Sequence, residues 1–144
     1  VIAGLDDVRA TVTAALTDAF AALEAPASSV PVHAYPPDEL AVPACWIVSP
    51  FGMRPSDPRT VVAEVSVIIV VDGAEPAQIA ALDVLEAAAW VALESIGTAT
   101  LAVPTAFAAG GPTLHAVTVT ADVDVDVRTL CPPTTATAPA RRAQ

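Results

Sequence analysis

Residues 117–127 read Val117-Thr118-Val119-Thr120-Ala121-Asp122-Val123-Asp124-Val125-Asp126-Val127. Every second position is Val or Ala, and the positions between them carry two threonines and three aspartates. Side chains alternate between the two faces of a strand, so this segment is expected to be one long strand with an apolar face and a polar face. At about 3.3 Å per residue it extends roughly 36 Å, close to the width of a globule of this size. The clearest strand is Val61–Val71. Its odd positions (Val61, Ala63, Val65, Val67, Ile69, Val71) are all apolar, whereas its even face starts with Glu64 and Ser66 and turns apolar at Ile68 and Val70. Something is therefore expected to cover the far end of that second face.

Working outward, Asp72-Gly73 turns the chain and Pro76 suits the first turn of a helix spanning about 76–96. Ile79, Leu82, Leu85, Ala89, Leu93 and Ile96 form its stripe, and Gly97 is placed to end it as a C′ glycine does. Residues 98–107 read as a strand, and Ala108-Ala109-Gly110-Gly111-Pro112 as the hairpin loop into a final strand at about 114–127. Towards the N-terminus, Leu5, Val8, Val12, Leu16, Ala19, Phe20 and Leu23 recur at steps of three and four, which predicts a helix over 5–24. Eight prolines from Pro26 to Pro58 break the next stretch, leaving two extended runs, Val30–Tyr35 and Ala44–Val48. Phe51–Arg59, with Gly52 and two prolines, reads as an exposed loop. The expectation is an α+β fold, a mainly antiparallel sheet of four to five strands packed by two helices, in the order α-β-β-β-α-β-β. Residues 1–130 form one domain, and residues 131–144 a Pro/Thr/Ala-rich tail that cannot fold alone and is expected to dock on a partner.

Ala and Val supply most of the apolar content and only 4% of the chain is aromatic. Small side chains remove little area each, at about 25 cal/mol per Å², so burial against other subunits is a natural supplement to a thin core. The chain has six cationic residues, all arginine, against sixteen acids, a formal charge of −10. That balance argues against binding a phosphate backbone or an anionic membrane surface. No run of about 20 apolar residues is present, and the acidic amphipathic start does not resemble a secretory leader. A soluble protein with two free thiols, Cys45 and Cys131, is expected.

A search for chemistry returns little. His33 and His115 are far apart and lack any HxH or HExxH spacing, so no metal is expected. No serine sits in a GxSxG elbow, Gly110-Gly111 has no lysine after it, and nothing lowers the pKa of Cys45. No catalytic residue and no cofactor are expected; the protein is read as a non-enzyme. Asp122, Asp124 and Asp126 stack about 7 Å apart on one strand face and repel one another. Three readings stay open for them: a solvated face, a calcium site (disfavoured because a straight strand does not wrap its ligands), and an electronegative surface that repels another anion. Ile68 and Val70 are candidates for subunit contact, and Arg141 and Arg142 for pairing with acidic surface on an adjacent subunit.

The leading amphipathic helix, the run PACWIV at 43–48, the strand RTVVAEVSVIIVVDG at 59–73, the helix IAALDVLEAAAWVALESI at 79–96 and the hairpin ending LHAVTVTADVDVDV at 114–127 together resemble the tail terminator proteins of long-tailed phages. The resemblance covers roughly residues 5–127 and rests on element order, length and strand character. The absence of Lys and Asn, both written with AT-rich codons, fits a G+C-rich genome such as that of an actinobacteriophage. The resemblance implies a virion protein assembled in the host cytoplasm as a homo-oligomeric ring, usually a hexamer, that caps the head-proximal end of the tail tube. Its partners would be copies of itself, the tail tube protein and the head-tail connector or stopper protein, with DNA passing through the lumen without specific binding. Asp122, Asp124 and Asp126 are then candidates for lumen-facing charge. Alternatives are another neck subunit, such as a head-completion or connector protein, or a cellular small-molecule-binding α+β module.

Overall fold

The computed structural model describes residues 2–108 and 113–130. The fold is α+β, with two long helices on one face of a six-stranded mixed sheet. Helix α1 (Leu5–Ala21) is followed by a single 3-10 turn, the strands β1 (Val32–His33), β2 (Ala44–Ile47), β3 (Gly52–Asp57) and β4 (Thr60–Val70), helix α2 (Pro76–Glu94), the strands β5 (Thr98–Ala108) and β6 (Thr113–Asp126), and a four-residue helix α3 (Val127–Leu130). The tail of residues 131–144, with Cys131, Arg141 and Arg142, and the expected loop tip at 109–112 lie outside the described residues.

The sheet order is β1-β2-β4-β6-β5, with β3 also pairing β4. Strand β6 lies against β4 along the whole of the latter, from Thr60 opposite Asp126 to Val70 opposite Ala116. The two segments on which the sequence reading turned are thus the central pair. On the other flank of β4, β2 pairs with Val67–Val70 and β3 with Thr60–Glu64, so one strand is flanked by two successive partners. Among the named strands of the described residues, β1 and β2 pair in parallel and the other pairs are antiparallel. Beyond the end of β5, Ile2 continues the ladder beside β6: its N–H donates to Asp124 O and its carbonyl accepts from Asp126 N–H, both at 3.1 Å.

Two differences from the sequence expectation have physical causes. Gly52–Asp57 is a strand and not a loop, because Asp57 closes a hairpin: its Oδ1 accepts the N–H groups of Arg59 at 2.7 Å and Thr60 at 2.9 Å. Those bonds also pull the Asp57 carboxyl below its usual range. Pro55 is tolerated because β3 is an exposed edge. Gly97 does not serve as a left-handed cap; among the described residues only Gly4 and Gly73 have positive φ. Its need is space. A Cβ at Gly97 would sit 2.2 Å from the Asp122 carbonyl oxygen, so only glycine lets the α2–β5 connection press onto the β6 backbone.

The inward face carries Val65, Val67, Ile69, Val119, Val123 and Val125, packed under Val8, Val12, Leu16 and Phe20 of α1 and Leu85 and Leu93 of α2. A second, smaller cluster lies on the opposite face, where Ala44, Trp46, Val70 and Ala116 pack together beneath Leu40 and Val42. The cover expected over the far end of β4 therefore comes from the chain's own proline-broken segment. One side chain stakes that segment down. Arg9, 8% exposed on α1, donates to Ala34 O at 2.6 Å and to Ser49 Oγ at 3.3 Å. Its guanidinium lies 4.3 Å from the ring centre of Tyr35 and 4.5 Å from that of Phe51, within cation–π range of both.

Candidate functional site

The outer face of the sheet, away from the helices, changes character along β6. Leu114 and Ala116 are apolar, Thr118 and Thr120 carry hydroxyls, and Asp122, Asp124 and Asp126 carry charge. The neighbouring strands follow the same gradient. Val70 and Ile68 of β4 flank the apolar part, Ser66 shares a 3.2 Å hydrogen bond with Thr120, and Thr105 of β5 shares one of 2.9 Å with Thr118. At the far end Glu64 stands directly opposite Asp122.

Two like charges facing each other across a ladder repel, and Arg54 of β3 resolves the conflict. Its guanidinium forks onto the Asp122 carboxylate, with Nη1 donating to Oδ1 at 3.1 Å and Nη2 to Oδ2, and Nη1 lies 3.4 Å from Glu64. Hydrogen bonding to Asp122 raises the Arg54 pKa further. Asp126 is held in the same way by Arg128, whose Nη2 donates at 2.9 Å and whose backbone N–H donates at 2.9 Å. Those hydrogen bonds, followed by the charges of Arg128 and Arg59, hold the Asp126 carboxyl below its usual range. Asp124 is exposed and has no arginine on it among the described residues. The three aspartates are therefore not a bare anionic stripe. Arg54, Arg59 and Arg128 come from three places in the chain to sit among them, a long-range pairing that no local spacing reveals.

The candidate contact residues separate. Val70 is fully buried by its own chain, which corrects the expectation that it meets a neighbour: the covering segment supplies the contact that a second subunit was expected to make. Ile68 is half-buried and lines a shallow hollow with Pro36, Pro37, Leu40 and Trp46. Cys45 is buried between the sheet and the helices, and burial pushes its thiol far up, so it is no nucleophile. His33 and His115 do not meet, and the described residues hold no group of three or more His, Cys, Asp or Glu side chains that could bind a metal.

Besides Tyr35, Met53 and Val127, the exposed large apolar side chains among the described residues form two pairs. Val91 is 69% exposed and Val84 47% on the outward side of α2, while Leu101 is 55% and Val103 40% exposed on the outer face of β5. On α2 the two valines continue a run of exposed alanines at helical spacing, Ala77, Ala80 and Ala87. By length and composition this helix is apolar enough to cross a membrane, because it carries apolar residues on the outward side as well as on the core side. Between α1 and α2 the outward side forms a shallow groove of Ala15, Ala19, Leu23, Val84, Ala88 and Val91. No known family model matches this chain, and no characterised protein does.

Proposed function

We propose that this chain is a ring-forming virion subunit, a tail terminator that caps the head-proximal end of a phage tail tube and offers its other face to the head connector. The supporting observation is the pair of unlike apolar patches on opposite layers of the fold. Val84 and Val91 look outward from the helix layer, and Leu101 and Val103 from the sheet face opposite to it. Two different patches that complement each other make a head-to-tail contact, and such contacts close into rings when the rotation per subunit allows. The charge balance suits a DNA conduit: four arginines stand against all sixteen acids in residues 2–130, which disfavours adhesion of a polyanion. Lumen-facing charge then falls chiefly to Asp124, since Asp122 and Asp126 are largely compensated by arginine.

Mass photometry of the full chain, alone and with tail tube protein, tests this reading. The expected result is a closed species of fixed copy number, six by the resemblance. A monomer under both conditions overturns it.

A further inference from the structure

The two exposed apolar patches differ in shape and in charge. On the helix layer the groove between α1 and α2 opens to about 770 Å³, with Val84 and Val91 along one wall and Ala15, Ala19 and Leu23 along the other. Asp18 stands on its rim, in the same stretch as Val91. Every exposed charge of α1 and α2 is acidic, because Arg9, the one cation of the two helices, is buried. On the sheet, Leu101 and Val103 stand about 7 Å apart on the outer face of β5, the last strand of the sheet among the described residues. The exposed cations among those residues, Arg54, Arg59 and Arg128, all gather at the Asp122–Asp126 end of the sheet.

Like faces do not suit each other. Groove on groove sets carboxylates against carboxylates with no exposed arginine on either side, and such a contact repels. The other self-complementary choice, β5 on β5 along their free edges, is interrupted from within. His115 O accepts from Val71 N–H at 3.2 Å, so the odd positions of β6 turn their backbone groups to β4. The β5 residues opposite them, Ala102, Pro104 and Ala106, turn theirs to the free edge. Pro104 has no N–H to give there, and the Ala99 N–H already donates to Glu94 Oε1 at 3.2 Å. An edge broken in this way is a poor template for a second strand. Unlike faces fit. The apolar pair on β5 matches an apolar groove, and Arg54 is close by, since it sits on Asp122, the next outer-face position of β6 after the Thr120 that pairs with Leu101.

We infer that Leu101 and Val103 of one copy seat in the α1–α2 groove of the next, with Leu101 on Val91 and Arg54 beside Asp18. The inference rests on the self-assembly reading and deepens it: only unlike faces meet, so the contact passes from copy to copy and does not end in a two-fold pair.

The test uses the full chain with Cys131→Ser, which leaves only the buried Cys45, and a short bismaleimide that joins neighbouring thiols. Val91→Cys and Leu101→Cys, both at exposed positions, are carried on separate co-expressed chains. The pair should crosslink at a yield about tenfold or more above that of either variant alone, as a head-to-tail contact requires. Adding Asp18→Arg to the Val91→Cys chain should lower that yield about fivefold by setting like charges together. One chain bearing both cysteines should give a ladder of crosslinked multimers, because its two thiols lie on opposite layers of the fold.

A yield from either variant alone that equals the pair's, a pair that does not crosslink, or a yield indifferent to Asp18→Arg overturns the inference. Mass photometry on the same samples keeps the two ideas apart. A closed species that persists without the crosslink sinks this contact alone, whereas a monomer sinks the self-assembly reading with it.

Discussion

The two ends of the outer sheet face are built on the same alternation and solved in opposite ways. At the Val70 end the even positions of β4 and β6 are apolar and the proline-broken segment seals them with Leu40, Val42 and Trp46. At the Asp122 end they are acidic, no segment among the described residues covers them, and arginines from β3 and α3 offset the charge. One end is a dry cluster whose worth scales with area removed from water; the other is a solvated network whose members are individually weak. A face of a single strand therefore takes its role from whatever lies over it.

The sharpest way to break the comparison is to carry the chemistry of one end to the other. Val70→Asp places an unpaired carboxylate where no water reaches, and should cost about 4 kcal/mol or more. That is a large share of a typical 5–15 kcal/mol stability. Urea unfolding followed by circular dichroism should show a markedly lower midpoint or no folded baseline. A wild-type midpoint would mean that the cluster is not sealed.

A smaller effect is expected from loosening the cover. Arg9→Ala removes two hydrogen bonds to the proline-broken segment and the stacking on Tyr35 and Phe51, at a cost of about 2–3 kcal/mol. Amide exchange should quicken across residues 30–50 while β6 stays protected. Uniform change over both regions would show that Arg9 serves the whole fold and not the lid.

The smallest effect belongs to the charged end. Arg128→Ala should leave the urea midpoint within experimental scatter at neutral pH, because the pair is exposed. Its signature is in titration. Asp126 has a depressed folded-state pKa, so its contribution is present above the ordinary aspartate value of about 3.9 and is lost as pH falls through the lower, folded value. Carboxyl-carbon NMR should place the Asp126 midpoint below the ordinary value in the parent and closer to it in the variant. No movement would show that Arg128 does not hold that carboxylate.

How much of this was legible in the sequence follows from the range of each interaction. The two long helices, β4 and β6 as strands, and the need for a cover over Ile68 and Val70 follow from local periodicity, which is read over a few residues; the pairing of β4 with β6 is long-range and does not. The identity of the cover does not, since Trp46 and Leu40 reach Val70 only after the chain has folded back on itself. The aspartates were visible as a charged row, but their arginines were not: Arg54 sits 68 residues from Asp122, in a stretch whose glycine and prolines disguise a strand. Arg9 was hidden for the converse reason, since a cation one step off an apolar stripe reads as surface until two aromatic rings and a carbonyl close around it.

Gly97 carries a consequence for how force would travel through the fold. With only a hydrogen atom between the α2–β5 connection and the carbonyl of Asp122, there is no layer of side chains there to yield. A load taken up on the valines of α2 would be handed to the aspartate strand as through a rigid coupling, with no side-chain cushion in between.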